Sequence, residues 1–356
     1  MNDFKAYFFV NPLGPPTAAD YQHCVIAFAE GLKDLGIHFD ANRDYYKILT
    51  DNTNEINDAD LADSDEYLFK ETIIDTDEDY NQYNILVTGQ TCGVPDHLLD
   101  NKNRKYKTII LDWSDGLYNY TKDNVDRYDL YFITTYNKML FPQNNVYPLG
   151  FSLTHRIINT IGKLEIASGL NFSQRENTLL YPHRVNHYIR LFMLKIYQQN
   201  KDIVTLYNDN FNNPKDGTIE YQHWHQSGRR HSIKFYNTLL NTQVCDCTGG
   251  YMFRCQNIVF AYQVDSFKLW EAFASGCAVI TINFDRYNIR LPHQPKNGVH
   301  YIGITDDVNE VERLIKSIRN GNIDIEKIAK AGQKWALENY CPKGVASYIV
   351  NKLLKV

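Results

Sequence analysis

The sequence predicts an α/β protein built from two similar domains that face one cleft. Its 356 residues exceed the size at which a single hydrophobic core usually stops growing. Apolar, β-rich runs alternate with amphipathic helical stretches in both halves of the chain, which is typical of strand–helix–strand units. Several of these runs end directly in polar residues, and ligands of open parallel sheets bind just beyond the strand ends. The cleft is therefore the predicted site of function.

The first half opens with a strand over residues 5–10, a Gly/Pro loop and a long helix over about residues 18–35. The loop contains Gly14 but has neither the G-x-G-x-x-G spacing of a dinucleotide site nor the spacing of a P-loop. Gly14 either makes the turn or lets the backbone approach a ligand in the cleft. Residues 50–82 are acidic and irregular, which predicts a solvated insertion with a short helix or strand around Tyr67–Phe69.

Polar residues follow two predicted buried strands of this half, residues 84–88 and 108–111. Asp112 comes directly after the second strand, where a general base or a substrate clamp is expected. Asp115 is a second catalytic candidate, or else it makes a turn or caps a helix. A further strand is predicted over residues 129–134, and a less regular connection begins at residues 147–150.

The hydrophobic periodicity breaks around residues 162–172, so a domain boundary is predicted there. Strands over residues 178–181 and 203–207 then flank a helix over residues 186–198. Arg184 at the start of that helix would suit a phosphate, because helix N-termini favour anions. The adjacent Arg229 and Arg230 open another helix and are also candidate anion contacts. All three arginines are equally consistent with solvated loop residues.

Residues 265–280 are the most informative stretch, and they predict an amphipathic helix, a glycine stop at Gly276 and a buried strand. Lys268 and Glu271 are three residues apart and project from one side of the helix. Together they could hold a diphosphate and a ribose diol, although a surface ion pair is the plainer alternative. Ser266 precedes this helix. Tyr251, before the strand predicted over residues 257–261, either borders a nucleobase or packs in the core.

Composition excludes several classes of function. A net charge of -5 gives no general attraction for nucleic acid or anionic membranes. No bilayer-length apolar run or secretory signal is visible, and seven irregularly spaced cysteines fit reduced thiols, so a cytoplasmic location is expected. Cys245, Cys247 and Cys255 match no usual zinc spacing, and no regular calcium loop is present, so no metal is expected.

These features resemble the GT-B fold of nucleotide-sugar glycosyltransferases. Residues 268–280 look like the donor-site helix of group 1 and CgeB-like members, with a basic residue, a glutamate and a small-residue ending. Residues 251–280 are also similar to the donor site of fucosyltransferase-type and exostosin-type enzymes. A looser likeness is to bacteriophage DNA β-glucosyltransferase, through Glu271 and Asp112.

The resemblance implies two Rossmann-like domains facing a cleft. Residues 1–165 would bind the acceptor, residues 166–342 would bind the nucleotide sugar, and a helix over residues 343–356 would pack back on the first domain. Glu271 would bind the ribose hydroxyls and Lys268 the diphosphate. The chain departs from retaining members at Gln263, which stands where their glutamate-x7-glutamate pattern has its first glutamate. It departs from the DNA glucosyltransferase in its acidic net charge, which argues against DNA as an acceptor.

The expected function is metal-independent transfer of a sugar from a nucleotide-diphosphate sugar, with a UDP-sugar favoured, to a hydroxyl of a glycan or other acceptor. Asp112 would accept the hydroxyl proton, while Lys268 and the arginines would stabilise the departing diphosphate. No cofactor beyond the nucleotide sugar is expected. Three rivals stay open: a nucleotide-sugar 2-epimerase, a non-catalytic GT-B protein that binds a sugar or partner, and a DNA glucosyltransferase.

Overall fold

The structure is a computed structural model, and it describes residues 4–11, 22–48, 66–114, 120–134, 136–137, 139–183, 188–207, 233–255, 258–262 and 264–355. Among them, no helix has both the length and the apolar character needed to cross a bilayer. The described elements form two parallel sheets, each covered by helices, as the alternating pattern predicts.

The first half of the chain forms a six-stranded parallel sheet and a small hairpin. Its strands are β1 (Lys5–Phe9), β2 (His38–Ala41), β3 (Tyr45–Lys47), β4 (Tyr67–Phe69), β5 (Ile85–Gly89), β6 (Lys107–Asp112), β7 (Leu130–Ile133) and β8 (Val146–Pro148). The sheet order is β2-β1-β5-β6-β7-β8, and β3 pairs with β4 in the hairpin. Its helices are α1 (His23–Asp34), α2 (Asp96–Leu99), α3 (Lys122–Asp126) and α4 (His155–Ser168), with a 3-10 helix at Asp77–Gln82.

The second half forms a five-stranded parallel sheet and a separate hairpin. Its strands are β9 (Glu176–Tyr181), β10 (Val204–Leu206), β11 (Thr242–Asp246), β12 (Tyr251–Cys255), β13 (Ile258–Tyr262), β14 (Ala278–Ile282) and β15 (Ile302–Ile304). The sheet order is β10-β9-β11-β14-β15. Its helices are α5 (Tyr188–Gln198), α6 (Ile233–Leu240), α7 (Phe267–Ala274), α8 (Val308–Arg319), α9 (Ile325–Asn339) and α10 (Pro342–Leu353), with a 3-10 turn at Phe172–Gln174.

Two details predicted from the sequence are wrong. The chain at residues 146–148 is not a connection but the edge strand β8, and the chain stays helical through Gly162 to the end of α4. The buried face of α4 carries Ile157, Ile161 and Leu164 at helical spacing, and Gly162 lies off that face, so the helix continues past the glycine. The strand predicted over residues 257–261 is confirmed as β13, which pairs antiparallel with β12 outside the parallel sheet.

The helix α10 crosses back and packs along α1, as the predicted fold class requires. The two helices approach so closely that a side chain at Gly31 would lie 2.0 Å from the carbonyl oxygen of Pro342 and 2.7 Å from Cβ of Ala346. One apolar cluster consequently runs from Phe28 on α1 through Ile349 on α10 to Trp270 on α7. The exact domain limits at residues 165 and 342 stay predictions.

Candidate active site

The helix α7 is held at its start by the buried carboxylate of Asp265. This carboxylate accepts hydrogen bonds from the backbone N–H of Phe151 (2.7 Å) and from Nε1 of Trp270 (2.5 Å). Burial raises the pKa of Asp265 to about 8, against the lowering effect of these hydrogen bonds. The indole of Trp270 stacks on Tyr340, with ring centroids 4.0 Å apart. The start of α7 is therefore tied both to the connection after the first sheet and to the end of α9.

The end of α7 is held by a glycine and an arginine. Gly276 has φ +68°, in the left-handed region that its predicted role as a helix stop requires. The Nη1 atom of buried Arg175 donates to the carbonyl oxygens of Ser275 (2.8 Å) and Gly276 (3.0 Å). These two carbonyls follow the last turn, where a helix leaves acceptors without intrahelical partners. The eight-residue helix is thus fixed at both ends.

Lys268 and Glu271 lie on the side of α7 that faces α6. Glu271 is buried, and its Oε1 accepts a hydrogen bond from the hydroxyl of Tyr236 (3.1 Å). The Nζ of Lys268 donates to the carbonyl oxygen of Pro182 and lies 6.0 Å from the ring centroid of Phe235. Burial, followed by the nearby Arg190, lowers the pKa of Lys268, while Glu271 acts in the opposite direction. The predicted pair therefore shares one partly enclosed face.

A second carboxylate lies next to this face, at the end of β11. Asp246 is fully buried; its Oδ2 accepts from the hydroxyl of Tyr197 (2.6 Å) and its Oδ1 from the backbone N–H of Thr248 (2.6 Å). The Nε2 of His183, just after β9, lies 3.5 Å from Oδ1 of Asp246. Polar residues from two neighbouring strand ends thus meet at the carboxyl edge of the second sheet, beside α7.

Several buried polar atoms at this edge have no hydrogen-bond partner among the described residues. They are both ring nitrogens of His183, Oγ1 of Thr248 and Oγ of Ser266. Ser266 is the N-cap residue of α7, but its side chain makes no capping bond. Since the great majority of buried polar groups in proteins are hydrogen-bonded, a cluster of such atoms is typical of a site that a polar ligand completes. The N-terminus of α7 adds a preference for an anion.

The corresponding edge of the first sheet carries Asp112, the last residue of β6. Its side chain is fully buried; Oδ1 accepts from the backbone N–H (2.9 Å) and Oγ (2.6 Å) of Ser114, and Oδ2 accepts from the hydroxyl of Tyr131 (2.5 Å). Burial raises the pKa of Asp112 despite these three hydrogen bonds. A carboxyl with a raised pKa at a strand end is a candidate for proton transfer.

The first turns of α1 and α7 are in contact. The ring of His23, which begins α1, meets the ring of Phe267, which begins α7, edge to face at a centroid distance of 4.7 Å. Burial raises the pKa of the Cys24 thiol, and Asp265 and then Asp112 add to this effect. The carboxyls of Asp265 and Asp112 are therefore both within electrostatic range of the Cys24 thiol.

The structure brings together only part of the predicted site. Lys268, Glu271 and Ser266 share one helix, and Asp112 lies at the opposing sheet edge. Tyr251 begins the hairpin strand β12, and its side chain lies outside the described part of the chain. Also outside the described residues are Gly14, Asp115, Arg184, Arg229 and Arg230.

Two residues of this edge, Asp246 and His183, are not among those predicted from the sequence. Asp246 ends a strand in the same way as Asp112. His183 lies in the loop after β9, but its side chain is only 1% exposed. The rule that polar residues after buried strands gather at one edge would have found both.

No group of three metal-ligating side chains occurs among the described residues. Two cavities bordered by described residues lie away from the edges. One of about 200 Å³ is lined by Glu30, Tyr46 and Arg156, and one of about 500 Å³ runs along α10 past Tyr348. Neither is lined by Asp112, Asp246 or Glu271.

Similar proteins were found only by comparison of structures. No protein-family model matches the sequence, and no curated protein is significantly similar to it. The structure of Anabaena Alr3699/HepE in complex with UDP is similar over 99% of this chain and 100% of that chain, with 10% identity and a TM-score of 0.56. The same protein in complex with UDP-glucose gives 11% identity and a TM-score of 0.53 with the same coverage.

A third match is AviGT4, described as a glycosyltransferase involved in avilamycin A biosynthesis. It has 10% identity and a TM-score of 0.51, and the match covers 99% of this chain and 97% of that one. These likenesses span both domains, and they confirm the GT-B fold predicted from the sequence.

Proposed function

We propose that this GT-B chain is a glycosyltransferase that moves a sugar from a nucleotide-diphosphate sugar, with a UDP-sugar favoured, to a hydroxyl acceptor. The observation that carries the proposal is the set of buried, unpartnered polar atoms beside α7 at the edge of the second sheet. Support also comes from structures of the same fold that hold UDP and UDP-glucose. Because fold alone does not establish activity, the residues of this edge carry the argument.

In this proposal α7 binds the donor. Glu271, held by Tyr236, accepts hydrogen bonds from the ribose hydroxyls. The diphosphate lies at the N-terminus of α7, where the backbone N–H groups, Oγ of Ser266 and Nζ of Lys268 stabilise its charge. These groups are fixed before the reaction, so they also stabilise the charge that develops on the leaving diphosphate. Arg184, Arg229 and Arg230 remain proposed contacts to the same group, and Tyr251 and Gly14 remain proposed borders of the donor.

The proposed base is Asp112. The acceptor oxygen attacks the anomeric carbon as its proton passes to the carboxylate, and the bond between the sugar and the diphosphate breaks with its electron pair on the phosphate oxygen. Attack from the face opposite the leaving group inverts the anomeric centre. Asp115 is retained as the alternative base. Because α7 and the proposed basic residues supply the positive charge, turnover is expected to need no metal ion.

The first test is a thermal-shift series with UDP, GDP, CDP, ADP and dTDP, with and without magnesium. A ligand that binds only the folded protein raises the unfolding midpoint by mass action. We expect one nucleotide to raise it selectively, without a need for magnesium, and Glu271→Ala to lose the effect. If no nucleotide shifts the midpoint, the donor-site proposal is wrong.

Activity is tested by mass spectrometry of the products formed from the selected nucleotide sugar, with and without acceptor hydroxyls. Sugar transferred to an acceptor supports the proposal. A changed free nucleotide sugar formed without acceptor would instead identify an epimerase, and binding without any product would identify a binding protein.

A further inference from the structure

His183 is a buried imidazole at the donor edge of the second sheet. It follows β9 directly, and its ring meets that of Tyr181 edge to face at a centroid distance of 5.2 Å. Its side chain is 1% exposed, although it lies in a loop rather than in an element of the core. An imidazole hidden in this way is costly unless its nitrogens find partners, because burial removes their hydrogen bonds to water.

Neither ring nitrogen has such a partner among the described residues. Oδ1 of Asp246 lies 3.5 Å from Nε2, at the outer limit of hydrogen-bond distance, so this contact is weak. Oγ1 of Thr248, two residues beyond Asp246, is also buried and unpartnered. The imidazole can therefore donate and accept further hydrogen bonds in the region where the nucleotide is proposed to bind.

Asp246 is a fixed negative charge beside this ring. Burial by itself would raise its pKa, but His183, Tyr197 and Thr248 together outweigh that effect and lower the pKa of Asp246. The hydrogen bonds from the Tyr197 hydroxyl and the Thr248 N–H hold the carboxylate in one position. A buried carboxylate held next to an imidazole favours the protonated ring.

Two cations oppose that protonation in the structure without nucleotide. Burial, as the largest cause, lowers the pKa of His183 to about 4, Asp246 acts in the opposite direction, and Arg190 on α5 and Lys268 on α7 lower the pKa further. Nε of Arg190 donates to the carbonyl oxygen of Thr248 (3.2 Å). The ring is thus neutral at neutral pH, with Asp246, Arg190 and Lys268 as charged neighbours and Glu271 beside Lys268. An arriving anion would offset the effect of the two cations on the ring.

We infer that His183 takes up a proton when a nucleoside diphosphate group binds, and that it contacts the phosphates as an imidazolium with Asp246 as its buried counter-ion. The proton comes from solvent and returns to it when the nucleotide leaves. This inference rests on the proposed function, because it assumes that the diphosphate lies beside α7. By linkage, a ligand whose binding adds a proton to the protein binds more tightly as the pH falls.

The experiment is isothermal titration calorimetry of the full chain with UDP-glucose between pH 5.5 and 8. Its phosphates are diesters that keep their charge over this range, so any proton taken up enters the protein. Repeating each titration in buffers of different ionisation enthalpy counts those protons. If the bound imidazole regains a pKa of about 6.5, the wild-type affinity rises roughly tenfold from pH 8 to pH 5.5, with net proton uptake on the acidic side.

His183→Gln keeps a polar side chain that does not titrate, so its affinity should be lower and nearly independent of pH. His38→Gln is the matched control, because His38 is exposed on β2, and it should keep the wild-type pH profile. If the wild-type protein binds UDP-glucose without proton uptake, this inference is wrong while the proposed function stands. That result does not depend on whether the His183 variant folds. If UDP-glucose does not bind at all, the proposed function fails and this inference fails with it.

Discussion

The two sheet edges have the same topology, but they differ in the charged groups around their buried carboxylates. At the end of β6, Asp112 has hydrogen bonds to both oxygens, from Ser114 and Tyr131. At the end of β11, Asp246 is equally well held by Tyr197 and Thr248. Buried polar atoms without partners occur at both edges: on Gln90, Trp113 and Thr134 at the first, and on His183, Thr248 and Ser266 at the second. Only beside Asp246 do the described residues add nearby cations, those of Arg190 and Lys268.

Each edge thus combines two uses of buried polar groups. A fully bonded group fixes one geometry, whereas an unpartnered group costs stability until a ligand supplies the missing bond. Both edges therefore have the character of ligand sites, and Lys268 and the N-terminus of α7 suit the second edge to an anion. The predictions below test this distinction, from the largest expected effect to the smallest.

Asp112→Asn should lower turnover by about 10²- to 10⁴-fold, because an amide cannot accept the acceptor's proton. Nucleotide affinity, measured by calorimetry, should stay within about twofold of wild type, because the donor is proposed to bind at the other edge. Ser114→Ala is the matched control, since it removes the Ser114 hydroxyl bond to Oδ1 and keeps the carboxylate. Unchanged turnover in Asp112→Asn would remove Asp112 from the mechanism.

Glu271→Ala should weaken nucleotide binding by roughly 10- to 100-fold, the effect of losing hydrogen bonds to a charged group worth about 1.5–3 kcal/mol. Tyr236→Phe is its control: it keeps the carboxylate but loses the 3.1 Å bond that orients it, so a smaller loss is expected. Titration of both variants with the nucleotide selected by thermal shift measures the effect. Equal losses of affinity in the two variants would mean that Glu271 supports the structure of the site and does not itself bind the nucleotide.

The two aspartates should affect stability with different pH profiles. The pKa of Asp112 is raised in the folded protein, so the folded state binds the extra proton and wild-type stability falls as the pH rises above about 4. Asp112→Asn removes that dependence, and its free energy of unfolding should therefore improve relative to wild type as the pH rises above about 4.

The pKa of Asp246 is lowered, so its contribution is fully present above about pH 4 and is lost only at lower pH. Asp246→Asn should therefore be less stable than wild type by about 1–3 kcal/mol, and by the same amount throughout pH 5–8. Urea unfolding at several pH values measures both variants. Parallel profiles for Asp112→Asn and Asp246→Asn would contradict the contrast between the edges.

Gly276→Ala should lower the free energy of unfolding by about 1–2 kcal/mol, because alanine is strained at φ +68°. The control is Gly162→Ala, in the interior of α4, where a new Cβ would meet no atom within 4 Å. That variant should gain roughly 0.5–1 kcal/mol, since glycine weakens a helix interior. A neutral Gly276→Ala would show that the end of α7 adapts, so the donor edge would be less fixed than the structure suggests.

The sequence predicts much of the fold because most elements carry their own periodicity. The helices α1, α8 and α9 bury the faces expected from helical spacing, and Gly276 ends α7 as its lack of a side chain suggests. The hairpin of β12 and β13 was not predicted, because pairing between strands depends on residues distant in sequence or across a turn. Local apolar pattern alone does not distinguish a hairpin strand from a sheet strand.

The candidate site was predicted less completely for a related reason. Lys268 and Glu271 are neighbours on one helix turn, so their spacing alone places them together. His183 and Asp246 are 63 residues apart in sequence, and only the parallel pairing of β9 with β11 brings their strand ends together. Whether a polar side chain is bonded or left unpartnered is a property of packing, and no spacing in the sequence reports it.

The crossing of α10 over α1 has a consequence for biosynthesis. The ribosome makes α1 early and α10 roughly three hundred residues later, yet Gly31 and Pro342 are in contact in the folded protein. Until α10 emerges, the apolar face of α1 that it covers has no native partner. The first domain therefore cannot complete its folding until a segment made after the second domain has emerged, which makes chaperone binding to nascent chains of intermediate length an expected step.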